Sequence, residues 1–245
     1  MSFSSDGTRL NAASQFTVVG WDVGTGKSLE RWQVPVENAT KRFVFASALD
    51  SRHGLLGLGM NDGYVDVWDT LHHRRIDRVG NLDPVLIGAD TGGGRIDRVV
   101  FGNSGTLVAF GKQYGLLEVW NFKTHQRLAQ ERCNGMTMSL AFSHDDRYLI
   151  CSSESGVVAW DLQGKEPPRN FLTTERFISS IAVTGDSSRV IAGAIGALVI
   201  WDFHSGRIID VVRTSDRPVA LSMLGRGFVV TDRNSPPRSG RLFPE

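Results

Sequence analysis

The sequence predicts an all-β fold built from repeated four-stranded antiparallel units, and three observations predict it. First, five segments of the 245-residue chain end an apolar, alternating stretch in Trp followed by Asp or Asn: FTVVGWD at Trp21, GYVDVWD at Trp68, GLLEVWN at Trp120, SGVVAWD at Trp160 and GALVIWD at Trp201. Their spacings of 47, 52, 40 and 41 residues fall within or close to the period of about 20 to 50 residues that marks a repeat architecture. Second, a small or polar turn residue precedes each Trp at near-constant distance, with Gly7, Gly54, Gly105, Asp146 and Ser187 standing 14, 14, 15, 14 and 14 residues before it. Third, the runs between these markers are rich in Val, Ile, Leu and Phe, are bounded by Gly, Asp and Ser, and show no helical period, which is the pattern of strands and tight turns.

Each unit reads in the same order. Strand a (VVF, LAF, IAV) leads into a turn such as FSSDG, FGNSG, FSHDD or VTGDS, with the longer ALDSRHG in the second unit. Strand b (TLVAFG, YLICSS, RVIAGA) follows, then a short turn and strand c, which ends at the Trp. A turn such as Thr25-Gly26-Lys27 or Ser205-Gly206-Arg207 leads to strand d. Strands of about 5 residues in groups of four cannot bury both faces alone, so the units must stack on their neighbours. The ends are irregular: residues 1–3 read as the tail of a strand a, and residues 218–245 supply strands a and b (VALSML, GFVVTD) and a candidate strand c in which Phe243 takes the place of Trp.

These repeats resemble the WD40 repeat family, whose four-stranded blades of about 40 to 45 residues stand radially around a channel. The resemblance covers nearly the whole chain. It implies a β-propeller of four-stranded antiparallel WD40-type blades, five recognisable plus a partial sixth, in a single domain of residues 1–245 with blades near 1–35, 40–80, 95–132, 136–173, 176–213 and 217–245. The missing strands at the two ends do not complement each other, so the chain is expected to be a fragment of a longer propeller or a misplaced start within one. In the family a Gly-His pair and a turn aspartate brace each blade together with the Trp. Here no Gly-His dipeptide occurs, and only Asp62 sits at the turn aspartate position, where other units carry Gln113, Glu154 and Ala194-Ile195. The blades are therefore expected to rely on packing more than on that network, with Trp21, Trp68, Trp120, Trp160 and Trp201 as structural fillers whose indole N–H groups need partners.

Composition narrows the function classes. Lys plus Arg number 27 against 26 Asp plus Glu, a formal net charge of +1, which argues against a surface built as a whole for nucleic acid or anionic lipid. No apolar run reaches the roughly 18 to 20 residues of a membrane span, and MSFSSDGTRL has neither the basic nor the apolar region of a secretory signal. Cys133 and Cys151 cannot make a disulfide framework and match no zinc-ligand spacing, so they are expected to be buried or inert thiols in an intracellular, cytoplasmic setting, with the nucleus left open.

Catalytic motifs fail on inspection. VGWDVGTGKS imitates a phosphate-binding loop, but Trp21 stands where the first Gly is required and Pro35 stops the following segment before a helix could form. His72, His73, His125 and His204 follow Trp-Asp or Trp-Asn pairs and read as turn residues, with no third ligand at a fixed spacing. No nucleophile elbow is present. The expectation is a non-enzyme without metal or cofactor.

The family resemblance places the d-to-a and b-to-c loops on one face, where partners dock. The positions before strand a are Arg42, Arg95, Met136, Phe177 and Arg217, with Arg176 beside Phe177, and the b-to-c turns supply Asp62, Tyr64, Gln113, Tyr114, Glu154 and Arg233. Arg, Tyr, Phe and Met are favoured at interfaces, and the insert GADTGGGR at 88–95 extends the same face. The expected function is a non-catalytic protein–protein interaction scaffold, within a larger assembly or multidomain parent, with an acidic or phosphorylated peptide as ligand because guanidinium forks pair with carboxylate and phosphate. The alternatives are an enzyme working at the channel mouth and an RNA-binding propeller.

Overall fold

Among the described residues, six antiparallel sheets follow one another along the chain. The structure, a computed structural model, describes residues 2–4, 7–14, 16–35, 42–81, 94–214, 220–224, 227–231 and 238–241. The first sheet is β1 (Ser2–Phe3), β2 (Arg9–Ser14), β3 (Thr17–Asp22) and β4 (Ser28–Gln33), and the second is β5 (Val44–Asp50), β6 (Leu55–Met60), β7 (Tyr64–Asp69) and β8 (Arg74–Gly80). The third is β9 (Ile96–Phe101), β10 (Leu107–Lys112), β11 (Leu116–Asn121) and β12 (Gln126–Arg132). The fourth is β13 (Ser139–Phe142), β14 (Tyr148–Ser153), β15 (Gly156–Asp161) and β16 (Arg169–Phe171), and the fifth is β17 (Ser180–Val183), β18 (Arg189–Ala194), β19 (Ala197–Asp202) and β20 (Ile208–Arg213). The sixth holds β21 (Ala220–Leu224), β22 (Gly227–Thr231) and β23 (Arg238–Arg241). Five four-stranded sheets and a three-stranded one match the five-plus-partial reading, and β1 is the short strand a expected at residues 1–3. Phe243 lies outside the described residues.

Two compact units divide these sheets: Met1–Gln113 with Leu117–Gln130, and Tyr114–Leu116 with Glu131–Glu245. In the first unit, the alternation of β6 (LLGLGM) sends Leu56, Leu58 and Met60 into a cluster with Val18, Trp32 and Trp68. Its other face carries Leu55, which packs with Val65, Val67, Ile96, Val108 and Phe110. Small residues on that face let β9 approach, since a Cβ on Gly59 would stand 2.5 Å from the Ile96 side chain. In the second unit, Tyr148, Ile150, Val157, Ala159 and Phe171 of the fourth sheet pack with Ile181, Val190, Ala192, Val199 and Trp201 of the fifth. Burial of this kind, at roughly 25 cal/mol per Å² of apolar surface, is the main force holding neighbouring sheets together.

The phased marker before each Trp has a backbone cause. Gly7, Gly54, Gly105, Asp146 and Ser187 all close the a-to-b turn with positive φ, at 72°, 65°, 67°, 57° and 55°, the left-handed region that Gly, Asn and Asp enter most readily. The c-to-d turn repeats the device five residues after Trp, where Gly26 and Gly206 (both φ 68°) are replaced by His73 (51°) and His125 (55°) in the second and third sheets. Those histidines are turn residues: His73 stacks on Trp32 at 4.5 Å and His125 pairs with Asp77 at 3.0 Å. His72 pairs with Asp69 at 2.7 Å.

Acidic residues after Trp tie these turns down. The Thr25 and Ser205 backbone N–H groups each donate to the preceding turn aspartate, Asp22 or Asp202, at 2.7 Å. Arg147 grips Asp161 with Nε at 3.2 Å and Nη2 at 3.0 Å, and this holds the Asp161 carboxyl down at about 2. In the a-to-b turn of the fifth sheet, the Thr184 hydroxyl donates to Asp186 at 2.6 Å and the Ser188 N–H at 2.9 Å, so Asp186 is also lowered to about 2.

One expectation is overturned. Cys133 and Cys151 are joined by a disulfide with a Cα–Cα distance of 6.3 Å, inside the range a disulfide accepts. Both are buried, as expected of them, but they are not free thiols. The segment leaving β12 runs back beside β14, a return that sequence spacing does not reveal.

Candidate partner-binding rim

The loop residues read from the sequence are joined by contacts into one group in the first unit and stand in separate pairs in the second. In the first unit, β7 alternates: Val65 and Val67 face the apolar cluster, while Tyr64, Asp66 and Trp68 share the opposite face. Asp66 stands directly across from Arg78 of β8. Arg42, ahead of β5, reaches Asp62 with Nε at 3.0 Å and Asp66 with Nη2 at 3.2 Å. Arg78 reaches Asp62 at 2.7 Å and lies over the Tyr64 ring at 4.3 Å. Burial pushes the Asp66 carboxyl above its usual value, against the pull of Arg42, Arg78 and Arg75.

Arg95 occupies the neighbouring position ahead of β9. Its Nε pairs with Asp97 at 2.6 Å, its guanidinium lies 5.1 Å from the Phe45 ring centre, and its carbonyl accepts from the Gln113 N–H at 3.0 Å. Gly94 lies against Gly63, between Asp62 and Tyr64. Arg42, Asp62, Tyr64, Arg95 and Gln113 are thus brought together along one end of the second and third sheets. Arg42 is only 8% exposed and is consumed by its two aspartates, so the outward cationic surface comes from Arg78 and Arg95.

Phe43 and Phe45 escaped the sequence reading. They are 56% and 50% exposed, Phe43 just ahead of β5 and Phe45 within it. A signal existed in the Arg-Phe dipeptide, which recurs as Arg42-Phe43 and Arg176-Phe177 ahead of strands a in the second and fifth sheets.

The second unit presents a more apolar group. Tyr114, Met136, Phe177 and Ile195 are all exposed, as are Arg176, beside Phe177 in sequence, and Glu154. The Ile195 N–H donates to the Arg176 carbonyl at 3.4 Å, which joins the b-to-c turn of the fifth sheet to its d-to-a loop. Tyr114 (φ 63°) and Phe177 (φ 56°) hold bulky side chains in left-handed backbone, a strain of roughly 1 to 3 kcal/mol each that the surrounding fold must sustain and that clusters at ligand clamps. Arg217, Arg233 and most of the 88–95 insert lie outside the described residues.

No group of three or more metal-ligating side chains occurs among the described residues. No helix there is long and apolar enough to cross a membrane.

The repeated four-stranded antiparallel sheets, their terminal tryptophans and the phased turns define the class: the sheets have the architecture of β-propeller blades. No protein-family model matches the chain, and no curated protein matches it. Among solved structures it is similar to a chain in the crystal structure of a mitotic checkpoint complex, with a TM-score of 0.74 over 94% of this chain and 68% of that chain, at 14% identity. With 1693 solved chains matching, the likeness marks a widely used fold, and function has to be argued from the site.

Proposed function

We propose that this chain is a non-catalytic protein-interaction module, acting as one domain within an intracellular, cytoplasmic assembly, and that it presents its loop rim to an acidic or phosphorylated peptide. The observation that carries this reading is the pairing of partly exposed guanidinium groups with aromatics in the first unit: Arg78 over Tyr64, and Arg95 over Phe45 beside exposed Phe43. Arg78 also pairs with Asp62 and Arg95 with Asp97, so a ligand carboxylate or phosphate would take the N–H groups those aspartates leave over, while the neighbouring phenylalanines offer apolar area to the flanking ligand residues. The likeness to a chain of a checkpoint complex supports a protein partner, as do exposed aromatic and Arg side chains.

The test is a nuclease-treated pull-down from native lysate, comparing the wild-type chain with the Phe43→Ala, Phe45→Ala, Arg95→Ala triple variant, with and without phosphatase. These side chains are at least a third exposed, so folding should survive, surface changes typically costing within about 0.5 kcal/mol. The reading expects one specific protein to be lost with the variant, and phosphatase to remove it if the ligand is phosphorylated. A folded variant that keeps the same partners refutes the assignment.

A further inference from the structure

We propose that the Cys133–Cys151 disulfide is a thiol-releasable clamp on the loop that carries Met136. This rests on the rim reading above and adds its regulation. Residues 133–138 join β12 to β13. Asn134, Gly135 and Met136 are exposed, so the middle of the loop has no apolar anchor. Its ends are held by backbone: the Cys133 N–H donates to the Gly115 carbonyl at 2.8 Å, and the Met138 N–H to the Ser152 carbonyl at 2.8 Å. The loop also seats the turn that carries Tyr114, because Gly115 packs so closely that a Cβ there would meet the Gly135 carbonyl oxygen at 2.1 Å. Thr137 is 1% exposed, and its hydroxyl has no hydrogen-bond partner, so its side chain holds this end by packing without a polar anchor.

The disulfide supplies the missing constraint. It ties Cys133 to the middle of β14, beside Ser152, across 18 residues of sequence. The bond thus adds a covalent tie to the backbone hydrogen bonds that place two exposed rim side chains, Tyr114 and Met136. In a cytosolic setting, disulfides are typically transient and redox-sensing.

Release by a dithiol balances as a two-electron exchange. One reductant thiolate attacks Cys133 Sγ, and Cys151 leaves as a thiolate that takes a proton from solvent. The second reductant thiol then displaces Cys133, closing the reductant's own disulfide and leaving two protein thiols. Cys133 is the entry point because it is 5% exposed against 0% for Cys151. The freed thiols remain compatible with a buried site, where Cys behaves as a small apolar residue.

Hydrogen exchange on the full chain, oxidised and after dithiothreitol, tests this. The clamp predicts that amides of residues 133–138 and of Gly115 exchange at least about tenfold faster after reduction while β18 and β19 are unchanged, since local opening is set by local constraints. The Cys133→Ala, Cys151→Ala variant should show the fast pattern without reductant and no response to it. If that variant does not fold, the reductant comparison on the natural chain decides alone. Unchanged exchange with both thiols shown free by alkylation overturns the proposal. So does loss of protection throughout β18 and β19, which would make the bond a staple of the whole unit, and so does an isolated chain whose thiols alkylate without reductant. No partner is needed, so the clamp can fail with the rim reading intact, and the pull-down can fail with the clamp intact.

Discussion

Replacing Lys112 by Met removes the cation from a wholly buried pair. Lys112 Nζ lies 2.5 Å from Glu118 Oε1, with side-chain exposures of 0% and 1%, and also donates to the Asn81 carbonyl and to Asn81 Oδ1, each at 2.9 Å. Glu118 Oε2 in turn accepts from Trp120 Nε1 at 2.7 Å. Met fills a similar volume but leaves Glu118 charged in the interior with the indole as its remaining partner, and strips Asn81 of its donor. Breaking a buried pair from one side costs about 3 to 5 kcal/mol, which at an m-value near 3 kcal/mol/M lowers the urea midpoint by roughly 1 to 2 M. Adding Glu118→Gln should recover more than half of that loss, because the amide is neutral and its oxygen still accepts from Trp120; the surplus is the coupling read from a double-mutant cycle. Tryptophan fluorescence during urea unfolding measures all four proteins. A Lys112→Met change within about 0.5 kcal/mol of wild type, or a double variant no more stable than the single, would refute the account of this pair.

Two further outcomes follow from the packing and the carboxylates. Trp201→Ala should cost roughly 3 to 5 kcal/mol, because the ring is fully buried, sits 6.0 Å from Phe171 and donates its N–H to the Leu172 carbonyl at 3.1 Å; thermal unfolding checks it. Asp161 and Asp186 are held down at about 2 from an ordinary 3.8, so each contributes stability that is fully present above about pH 4 and is lost as the pH falls towards 2. Urea midpoints measured between pH 5 and pH 2 should decline, and the decline should be smaller in an Asp186→Asn variant.

The legible part of this fold came from backbone demands that repeat. A residue able to take positive φ recurs at Gly7, Gly54, Gly105, Asp146 and Ser187, and that shared steric requirement is why the phasing could be read without coordinates. The strand c tryptophans were legible for a related reason, since every copy fills the same place near a strand end. His73 and His125 were correctly read as turn residues, and the structure adds why: each replaces a left-handed glycine. The charged braces were half legible. Asp66 and Glu118 stand two residues before their Trp, where other units carry Val19, Val158 and Val199, yet nothing local says that Arg42 and Lys112 would answer them. The second and third sheets accordingly carry more ionic bracing than the expected reliance on packing more than on a network suggested.

By itself, then, the chain determined its strand order, its turns and its repeat, because these follow from steric limits and alternation acting over a few neighbouring residues. Tertiary structure decided which side chains are spent and which are free. Arg42 is absorbed by Asp62 and Asp66 while Arg95, paired with Asp97, stays partly exposed, Phe43 and Phe45 face solvent at the start of β5, and two cysteines 18 residues apart meet. Each of these depends on how a returning segment packs beside another, and burial and Coulomb attraction act through distances in space that sequence separation does not encode.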